Sequence, residues 1–286
     1  MSSRFPVLDI PLEALSIPRT GKAYDLCSGW WPGMPLAEGH PQFQVLTYRT
    51  PRGQRNQKDL EFLRENRVNF GFISELLMCT THTGTHIDAL AHVTCGAHSE
   101  WHGGYSADEC LGDFGPMCQD AAALPPFVCR GVMLDIPAAL GLQRLEAHQP
   151  IGKAELEKAC ARQGILLARG DVVLIRTGTM DGWPDKELVA RSEGSGLNLE
   201  GAQWLMEFGP AAVGADNVVL EVVPSGIDGD PQPVHRFLLQ ENGVPILEWV
   251  YQEELSRDGI SEFLFLCMPL PISGATGSLV RPLAIA

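Results

Sequence analysis

The sequence predicts a mixed α/β fold in a single domain. Runs of apolar and β-branched residues, typical of strands, recur from about residue 42 to residue 268. Amphipathic helical segments lie between several of these runs, but strands outnumber helices, which favours a mixed sheet over a simple doubly wound one. No internal repeat or low-complexity linker divides the chain. We therefore expect residues 24–286 to form one domain, preceded by an N-terminal extension at residues 1–23.

The individual elements follow from local patterns. Val172–Arg176 is a β-branched run typical of a buried strand, and Gly164 is placed to end an amphipathic helix that begins near Ile151. Asn198 is a suitable N-cap for a helix that reaches Phe208. Further strands are predicted at residues 24–28, 42–48, 68–83, 131–136, 212–215, 244–250 and 262–268, a helix at 234–240, and an exposed loop or hairpin tip at 51–68.

Composition excludes several classes of partner. The chain of 286 residues has a net charge of −14. This acidic balance argues against nucleic acid and anionic membranes as partners. Apolar residues make up 45% of the chain, which is enough for a sizeable core.

The sequence has no secretory signal pattern at its start and no apolar window long enough to span a bilayer. None of the eight cysteines forms a C-x-x-C pair, and a chain of this size does not depend on a disulfide framework. We therefore expect free thiols and a cytoplasmic location.

The densest group of candidate metal ligands lies between His82 and His92, where three histidines and Asp88 fall within eleven residues. Imidazole and carboxylate groups are common ligands of catalytic divalent metals. In an extended chain, side-chain alternation places His82, Gly84, His86 and Asp88 on one face, with Gly84 leaving space between the two imidazoles. On a helix, Asp88 would point away from the two histidines. A Thr-rich strand with structural histidines remains the alternative, but a cluster favours a metal site.

The remaining histidines and one late carboxylate extend this hypothesis. His92 is left over from the metal set, and its ordinary pKa suits a general base. Glu248 shares strand parity with apolar neighbours, so we expect a partner such as His235 or a cation. His98 and His102 lie in a Gly-rich segment, which favours a substrate-covering loop over a second metal site.

The chain lacks a phosphate-binding loop, a dinucleotide fingerprint, a nucleophile elbow and an H-E-x-x-H motif, which leaves metal-assisted hydrolysis of an amide or ester. Trp30 and Trp31 lie in a Gly/Pro-rich loop, where either packing or a pocket wall is compatible with the sequence. We take Trp30, Trp31 and Trp101 as candidates to line the pocket of an aromatic substrate.

The segment His82–His92 resembles the H-x-G-T-H-x-D-x-x-x-H motif of the metal-dependent cyclase family, which includes bacterial kynurenine formamidases and isatin hydrolases. Shorter segments with the same resemblance cover most of the chain from Tyr24 onward. They are Tyr24–Leu26 with Met34-Pro35, Val172–Gly178, Gly214–Asp216, His235–Glu248 and Gly274–Ser278.

The resemblance implies a swivelling β/β/α-type domain with a mixed sheet, a homodimer or homotetramer, and bound Mn²⁺ or Zn²⁺. It implies His82, His86 and Asp88 as metal ligands and His92 as the catalytic base. His235 and Glu248 match the positions that bind a second zinc in formamidases, so they form either a second metal position or a shell around the first. The G-x-D segment adds Asp216 to the expected substrate pocket.

Departures from the formamidase pattern include Leu90 in place of a proline and Cys27 in place of a serine. They favour an isatin-hydrolase-like or lactamase-like enzyme that opens a cyclic amide, with metal-bound hydroxide attacking the carbonyl. A binuclear zinc arylformamidase acting on N-formylkynurenine is the second hypothesis. A metal-stabilised protein that binds a small molecule without turnover is the third, and the intact His92 argues against it.

Overall fold

The computed structural model describes residues 10–286, which form one mixed sheet with helices packed against it and four small two-stranded sheets. The expectation for residues 1–9 of the N-terminal extension lies outside the described residues. The strands of residues 10–286 are β1 (Ala23–Asp25), β2 (Gln44–Arg49), β3 (Ser74–Met78), β4 (His86–Asp88), β5 (Glu100–Trp101), β6 (Tyr105–Ser106), β7 (Leu111–Gly112), β8 (Gly115–Pro116), β9 (Phe127–Asp135), β10 (Pro150–Ile151), β11 (Val172–Arg176), β12 (Gly196–Leu197), β13 (Ala212–Ala215), β14 (Ile246–Glu248), β15 (Glu262–Cys267), β16 (Gly277–Leu279) and β17 (Leu283–Ile285).

The α-helices of the same residues are α1 (Pro51–Gln57), α2 (Ala107–Cys110), α3 (Ile136–Leu140), α4 (Lys153–Gln163), α5 (Lys186–Val189), α6 (Leu199–Met206), α7 (Pro233–His235) and α8 (Glu253–Asp258). Short 3₁₀ helices occupy Leu12–Ser16, Glu61–Leu63, Ala121–Ala123 and Ala190–Ser192, and α7 continues as a π-helix at Arg236–Glu241. None of the helices within residues 10–286 is long and apolar enough to cross a membrane.

The main sheet has nine strands in the order β1-β17-β15-β9-β11-β13-β14-β4-β16. Its centre, β9-β11-β13-β14, is parallel, and the outer pairs on both sides are antiparallel. The predicted mixed α/β class is therefore confirmed. Mixed direction arises because α-helical crossovers connect only the central strands, whereas β4 enters beside β14 from the N-terminal part of the chain.

Two cores lie on opposite faces of this sheet because alternate residues of each strand point to opposite sides. In β11, Val173 and Ile175 pack against the layer that contains α4 and α6, whereas Val172 and Leu174 face the other cluster. The predicted caps are present: the Asn198 side chain accepts a hydrogen bond from the Gly201 amide, and Gly164 ends α4 in a left-handed conformation.

Near the N-terminus, Thr20 and Gly21 donate backbone hydrogen bonds to the carbonyl of Ala286, and β1 pairs with β17. Residues 20–25 and residues 283–286 therefore pair at one edge of the sheet. The segment predicted as an exposed loop or hairpin tip at residues 51–68 lies between β2 and β3, and α1 with a 3₁₀ turn occupies part of it.

Candidate metal centre

The strand β4 carries two of the predicted ligands and lies between β14 and β16. His86 is paired in register with Glu248, and Asp88 is paired with Ile246 on one side and Gly277 on the other. His86 and Asp88 are two residues apart on an extended strand, so their side chains share a face, as alternation predicted. His86, Asp88 and Glu248 are all buried.

The part of the motif before β4 differs from the prediction. Residues 81–85 form turns rather than a continuation of the strand. Gly84 has a φ of +58°, and a Cβ there would lie 2.9 Å from atoms of Met34, Ser28 and Trp30. The expectation that Gly84 makes space between the two imidazoles is therefore wrong. Glycine is required there by a left-handed turn packed against the 28–34 loop, and its carbonyl accepts a hydrogen bond from His86 Nδ1 at 2.8 Å.

His82 reaches the same carboxylate from this turn. Its Nδ1 donates to Asp88 Oδ1 at 2.7 Å, because a carboxylate can only accept, and its Nε2 lies 2.9 Å from the Thr276 hydroxyl. A Cβ on Gly277 would lie 2.6 Å from the His82 ring. The small residues of the turn at 274–278 therefore leave space for the His82 ring.

His235, 147 positions beyond Asp88 in the printed sequence, completes the cluster from the last turn of α7. Its Nε2 lies 3.2 Å from Glu248 Oε1 and 3.8 Å from Asp88 Oδ2. The argument that a buried Glu248 needs a partner such as His235 is thus matched by a direct contact.

Glu221 is a buried residue of the cluster that the sequence did not reveal. Its Oε1 accepts hydrogen bonds from His235 Nδ1 at 2.5 Å and from the His235 amide at 3.0 Å, and its Oε2 accepts from the Val234 amide at 3.1 Å. The preceding Leu220 has a φ of +52°. The only signal was a carboxylate within the apolar run Val219–Val223, the same signal that singled out Glu248.

The arrangement fits a cation. Two sets of three residues bring ligand atoms within 4.8 Å of one another: His82, His86 and Asp88 form one set, and Asp88, His235 and Glu248 form the other. Asp88 Oδ2 and Glu248 Oε1 are buried and accept no hydrogen bond, although His235 Nε2 lies 3.2 Å from Glu248 Oε1. Buried unsatisfied carboxylate oxygens are costly, and a divalent cation would satisfy them. Asp88 belongs to both sets.

The electrostatics of the cluster reflect this crowding. Burial opposes the charged form of Asp88, but His92, His82 and His86 outweigh it and hold the pKa of that carboxyl well below its usual value. Burial would lower the pKa of His235, but the adjacent carboxylates of Glu221 and Glu248 raise it to about 10.

His92 lies beside the cluster but has a different environment. Its ring stacks on the His82 ring with centroids 3.9 Å apart, and burial lowers its pKa to about 4. It is therefore a neutral imidazole at neutral pH, and its pKa lies well below working pH instead of at the ordinary value that made it a candidate base. A neutral imidazole next to the ligands, and outside both three-residue sets, has a nitrogen available to accept a proton.

A mostly apolar cavity of about 390 Å³ is lined among others by Met34, His40, Val189, Asn217 and Trp249, and none of the clustered histidines and carboxylates lines it. The His40 ring is 6.1 Å from that of His82 and its Nδ1 is 2.9 Å from the Thr80 hydroxyl. Sequence reasoning did not single out His40, because it is an isolated histidine in a loop.

The three tryptophans predicted to line a substrate pocket lie in three different surroundings. Trp31 packs edge-on against Trp183, which in turn lies 5.2 Å from Trp249, the tryptophan that lines the cavity. Trp30 donates from Nε1 to the Thr83 carbonyl at 2.7 Å, next to the cluster. Trp101 is buried in the β5–β6 hairpin, and its Nε1 has no hydrogen-bond partner.

The expectation that Asp216 lines the pocket is wrong. The carboxylate is fully buried; its Oδ1 accepts hydrogen bonds from the Thr177 amide and hydroxyl, and its Oδ2 accepts from the Gly178 amide. It holds the turn that follows β11 against the end of β13.

The two histidines of the Gly-rich segment lie apart from the cluster. His98 is largely exposed, 3.9 Å from Asp108, and His102 Nδ1 lies 2.9 Å from the Gln240 carbonyl. His102 therefore joins the β5–β6 hairpin to the π-helix.

Comparisons with known proteins agree with this architecture. The model of the Cyclase family matches residues 24–222. The crystal structure of a protein described as a novel cyclase is 26% identical, with a TM-score of 0.81, and the match covers 96% of this chain and 92% of that one.

Two further solved structures share the fold at lower identity. Isatin hydrolase A from Labrenzia aggregata is 17% identical with a TM-score of 0.67, over 92% of this chain and 93% of that one. A predicted metal-dependent hydrolase from Bacillus stearothermophilus is 19% identical with a TM-score of 0.56, over 92% and 97%. A comparison with curated proteins finds no match.

Proposed function

Since this chain belongs to the Cyclase family, we propose that it is a metal-dependent hydrolase that opens a cyclic amide. The single observation that carries the proposal is the pair of three-residue sets that overlap at Asp88. Within them, one oxygen of Asp88 and one of Glu248 are buried and accept no hydrogen bond. His86, Asp88, His235 and Glu248, with His82 next to them, would hold the cation. A divalent ion, Mn²⁺ or Zn²⁺, supplies Lewis acidity toward a carbonyl and lowers the pKa of a water molecule.

The proton transfers are assigned to His92. As a neutral, largely buried imidazole beside the cluster, it accepts the proton of the attacking water. It then returns that proton to the amide nitrogen as the C–N bond breaks. The products are a carboxylate and an amine, which remain on one molecule when the substrate is a ring.

The cavity would take a small, largely apolar substrate. Trp249 and His40 line it, and the His40 ring lies 6.1 Å from that of the candidate ligand His82. Apolar side chains bind the body of the ligand, and a few polar groups orient it. The fold shared with an isatin hydrolase agrees with an isatin-like or lactam substrate.

A binuclear arylformamidase is the second candidate, because Asp88 belongs to both sets and has two oxygens to offer. In that case His82, His86 and Asp88 would hold one cation, and Asp88, His235 and Glu248 would hold a second. Elemental analysis separates the candidates: one metal per chain in fully active protein contradicts the binuclear enzyme.

The test is a substrate panel with apo-protein reconstituted separately with Mn²⁺ and Zn²⁺. The panel contains isatin, N-formylkynurenine and a bicyclic γ-lactam, and the His92→Ala variant serves as the control for contaminating hydrolases. Turnover of isatin or the lactam that disappears in the variant supports the proposal. Full activity of the variant, or metal-independent turnover, contradicts it.

A further inference from the structure

The π-helix ends in a wider turn than an ordinary helix does. At a typical glycine-terminated helix end, the glycine amide bonds to the carbonyl three residues earlier, which here would be that of Gln240. Instead, the Gly243 amide donates to the Leu239 carbonyl at 3.2 Å. The Val244 amide likewise donates to the Leu238 carbonyl at 2.8 Å. Each bond reaches one residue further back than usual, so the last turn contains one extra residue.

The wide turn separates the Gln240 carbonyl from the amide that would ordinarily bond to it. In the π pattern its partner would be Pro245, which has no N–H. His102 supplies a donor from the β5–β6 hairpin, since its Nδ1 lies 2.9 Å from the Gln240 carbonyl. A carbonyl can only accept, so Nδ1 carries the proton. The imidazole therefore caps this end of the helix.

The position of His102 is fixed by its surroundings. The preceding Trp101 is buried, and the Gly104 amide closes a tight turn on the Trp101 carbonyl at 3.2 Å. Gly243 packs directly against the imidazole, because a Cβ at this position would lie 2.5 Å from His102 Nε2. The hairpin and the end of the π-helix therefore form one packed unit.

The width of this turn affects the candidate metal centre. The π-helix starts directly after His235, and the strand after its last turn, β14, carries Glu248. This strand is paired with β13 on one side and β4 on the other. A one-residue shift of β14 would turn its side chains to the opposite face of the sheet. If the turn narrowed, the change would therefore be taken up on the side of His235, which would leave its place 3.2 Å from Glu248 Oε1 and 3.8 Å from Asp88 Oδ2.

We propose that His102 is a positioning residue of the candidate metal centre. Its hydrogen bond to the Gln240 carbonyl holds the wide turn, and the wide turn keeps His235 within reach of the two carboxylates. Single π-turns inside helices occur frequently at functional sites. The inference rests on the proposed metal-dependent function, and it gives the Gly-rich hairpin a role there without making His102 a ligand.

The test compares two substitutions that differ in where they place an N–H donor. The amide nitrogen of asparagine is bonded to Cγ, as Nδ1 is, so His102→Asn keeps a donor facing the Gln240 carbonyl. The amide nitrogen of glutamine lies one bond further out, at the place of Nε2, so His102→Gln moves the donor away. His98→Gln is the matched control, because His98 is a largely exposed imidazole just before the same hairpin.

Competition with a chromophoric chelator measures the Zn²⁺ and Mn²⁺ affinity of each full-length variant. Hydrogen exchange follows the amides of Gly243 and Val244, and thermal unfolding verifies that each variant folds. We expect His102→Gln to bind metal about 10-fold more weakly, at the lower end of the range for changes behind a metal-binding histidine. The same variant should lose protection at both amides, whereas His102→Asn and His98→Gln should keep the wild-type values.

Equal metal affinity in His102→Asn and His102→Gln overturns the inference. A His102→Gln variant that loses stability but keeps its metal affinity also overturns it, because the histidine then serves the fold alone. In both cases the wild type still binds metal, so the proposed function stands. A wild type that binds neither metal overturns the proposed function together with this inference, and the two failures are thereby distinguished.

Discussion

Replacing Glu221 by Gln tests how the candidate metal centre is held. Glu221 contacts no predicted ligand except His235, yet it accepts three hydrogen bonds from His235 and Val234. Its carboxylate fixes a proton on His235 Nδ1, which directs Nε2 toward Asp88 and Glu248. We therefore expect Glu221 to be a positioning residue for the metal.

The expected loss of folding stability in Glu221→Gln follows from the hydrogen-bond donors around residue 221. Glutamine keeps one acceptor oxygen, which can serve the two His235 donors, but its NH₂ group then faces the Val234 amide. The Val234 N–H and the new NH₂ group then both lack an acceptor, and each buried donor without a partner costs about 1–3 kcal/mol of folding stability. Mutation of the hydrogen-bonding partner behind a metal-binding histidine, here from a charged carboxylate to a neutral amide, typically weakens metal affinity by about 10–100-fold.

The assay is a competition between apo-protein and a chromophoric chelator for Zn²⁺ and Mn²⁺, with thermal unfolding measured in parallel. Asp216→Asn is a matched control, because Asp216 is equally buried and also accepts two hydrogen bonds on one oxygen and one on the other. Both variants should lose stability, and only Glu221→Gln should lose metal affinity. Equal metal affinity in the two variants would refute the reasoning.

Three further outcomes are expected. His92→Ala should bind metal with wild-type stoichiometry while hydrolysis falls about 10²–10⁴-fold, which parallel metal analysis and kinetics will verify; equal losses of metal and activity would make His92 a ligand instead. Glu248→Gln should lower metal affinity, since it removes a buried negative charge from one of the two candidate ligand sets, and unchanged titration curves would exclude Glu248 from the centre. Gly84→Ala should destabilise the protein by about 1–3 kcal/mol more than Gly21→Ala in urea denaturation, because both have positive φ but only Gly84 is crowded; equal losses would assign the cost to φ alone.

Local patterns predicted most of the elements, because strand and helix periods are properties of short segments. The β-branched run of β11, the cap at Asn198 and the stop at Gly164 all occur where expected. The proximity of His86 and Asp88 also followed from local alternation. The turn at residues 81–85 did not, because it depends on contacts with the 28–34 loop that lies elsewhere in the sequence.

Residues that act through tertiary contacts were harder to predict. Glu221 and Thr276 reach His235 and His82 only after the sheet has formed, and no spacing rule connects them. Asp216 shows the opposite case: a short segment drew attention to a carboxylate, but only its hydrogen bonds reveal that it holds a turn.

The pairing of β4 with β14 determines when a cation can bind during folding. The Thr85 hydroxyl donates to the Trp249 carbonyl across 164 positions of the chain, and the ligands flank this contact. Such long-range pairing forms late, because the intervening chain must close first. A nascent or truncated chain that ends before Glu248 carries the whole histidine-rich motif but lacks the opposite wall of the site. Tight metal uptake would therefore report that the C-terminal third has folded onto the rest, and it would discriminate complete molecules from fragments.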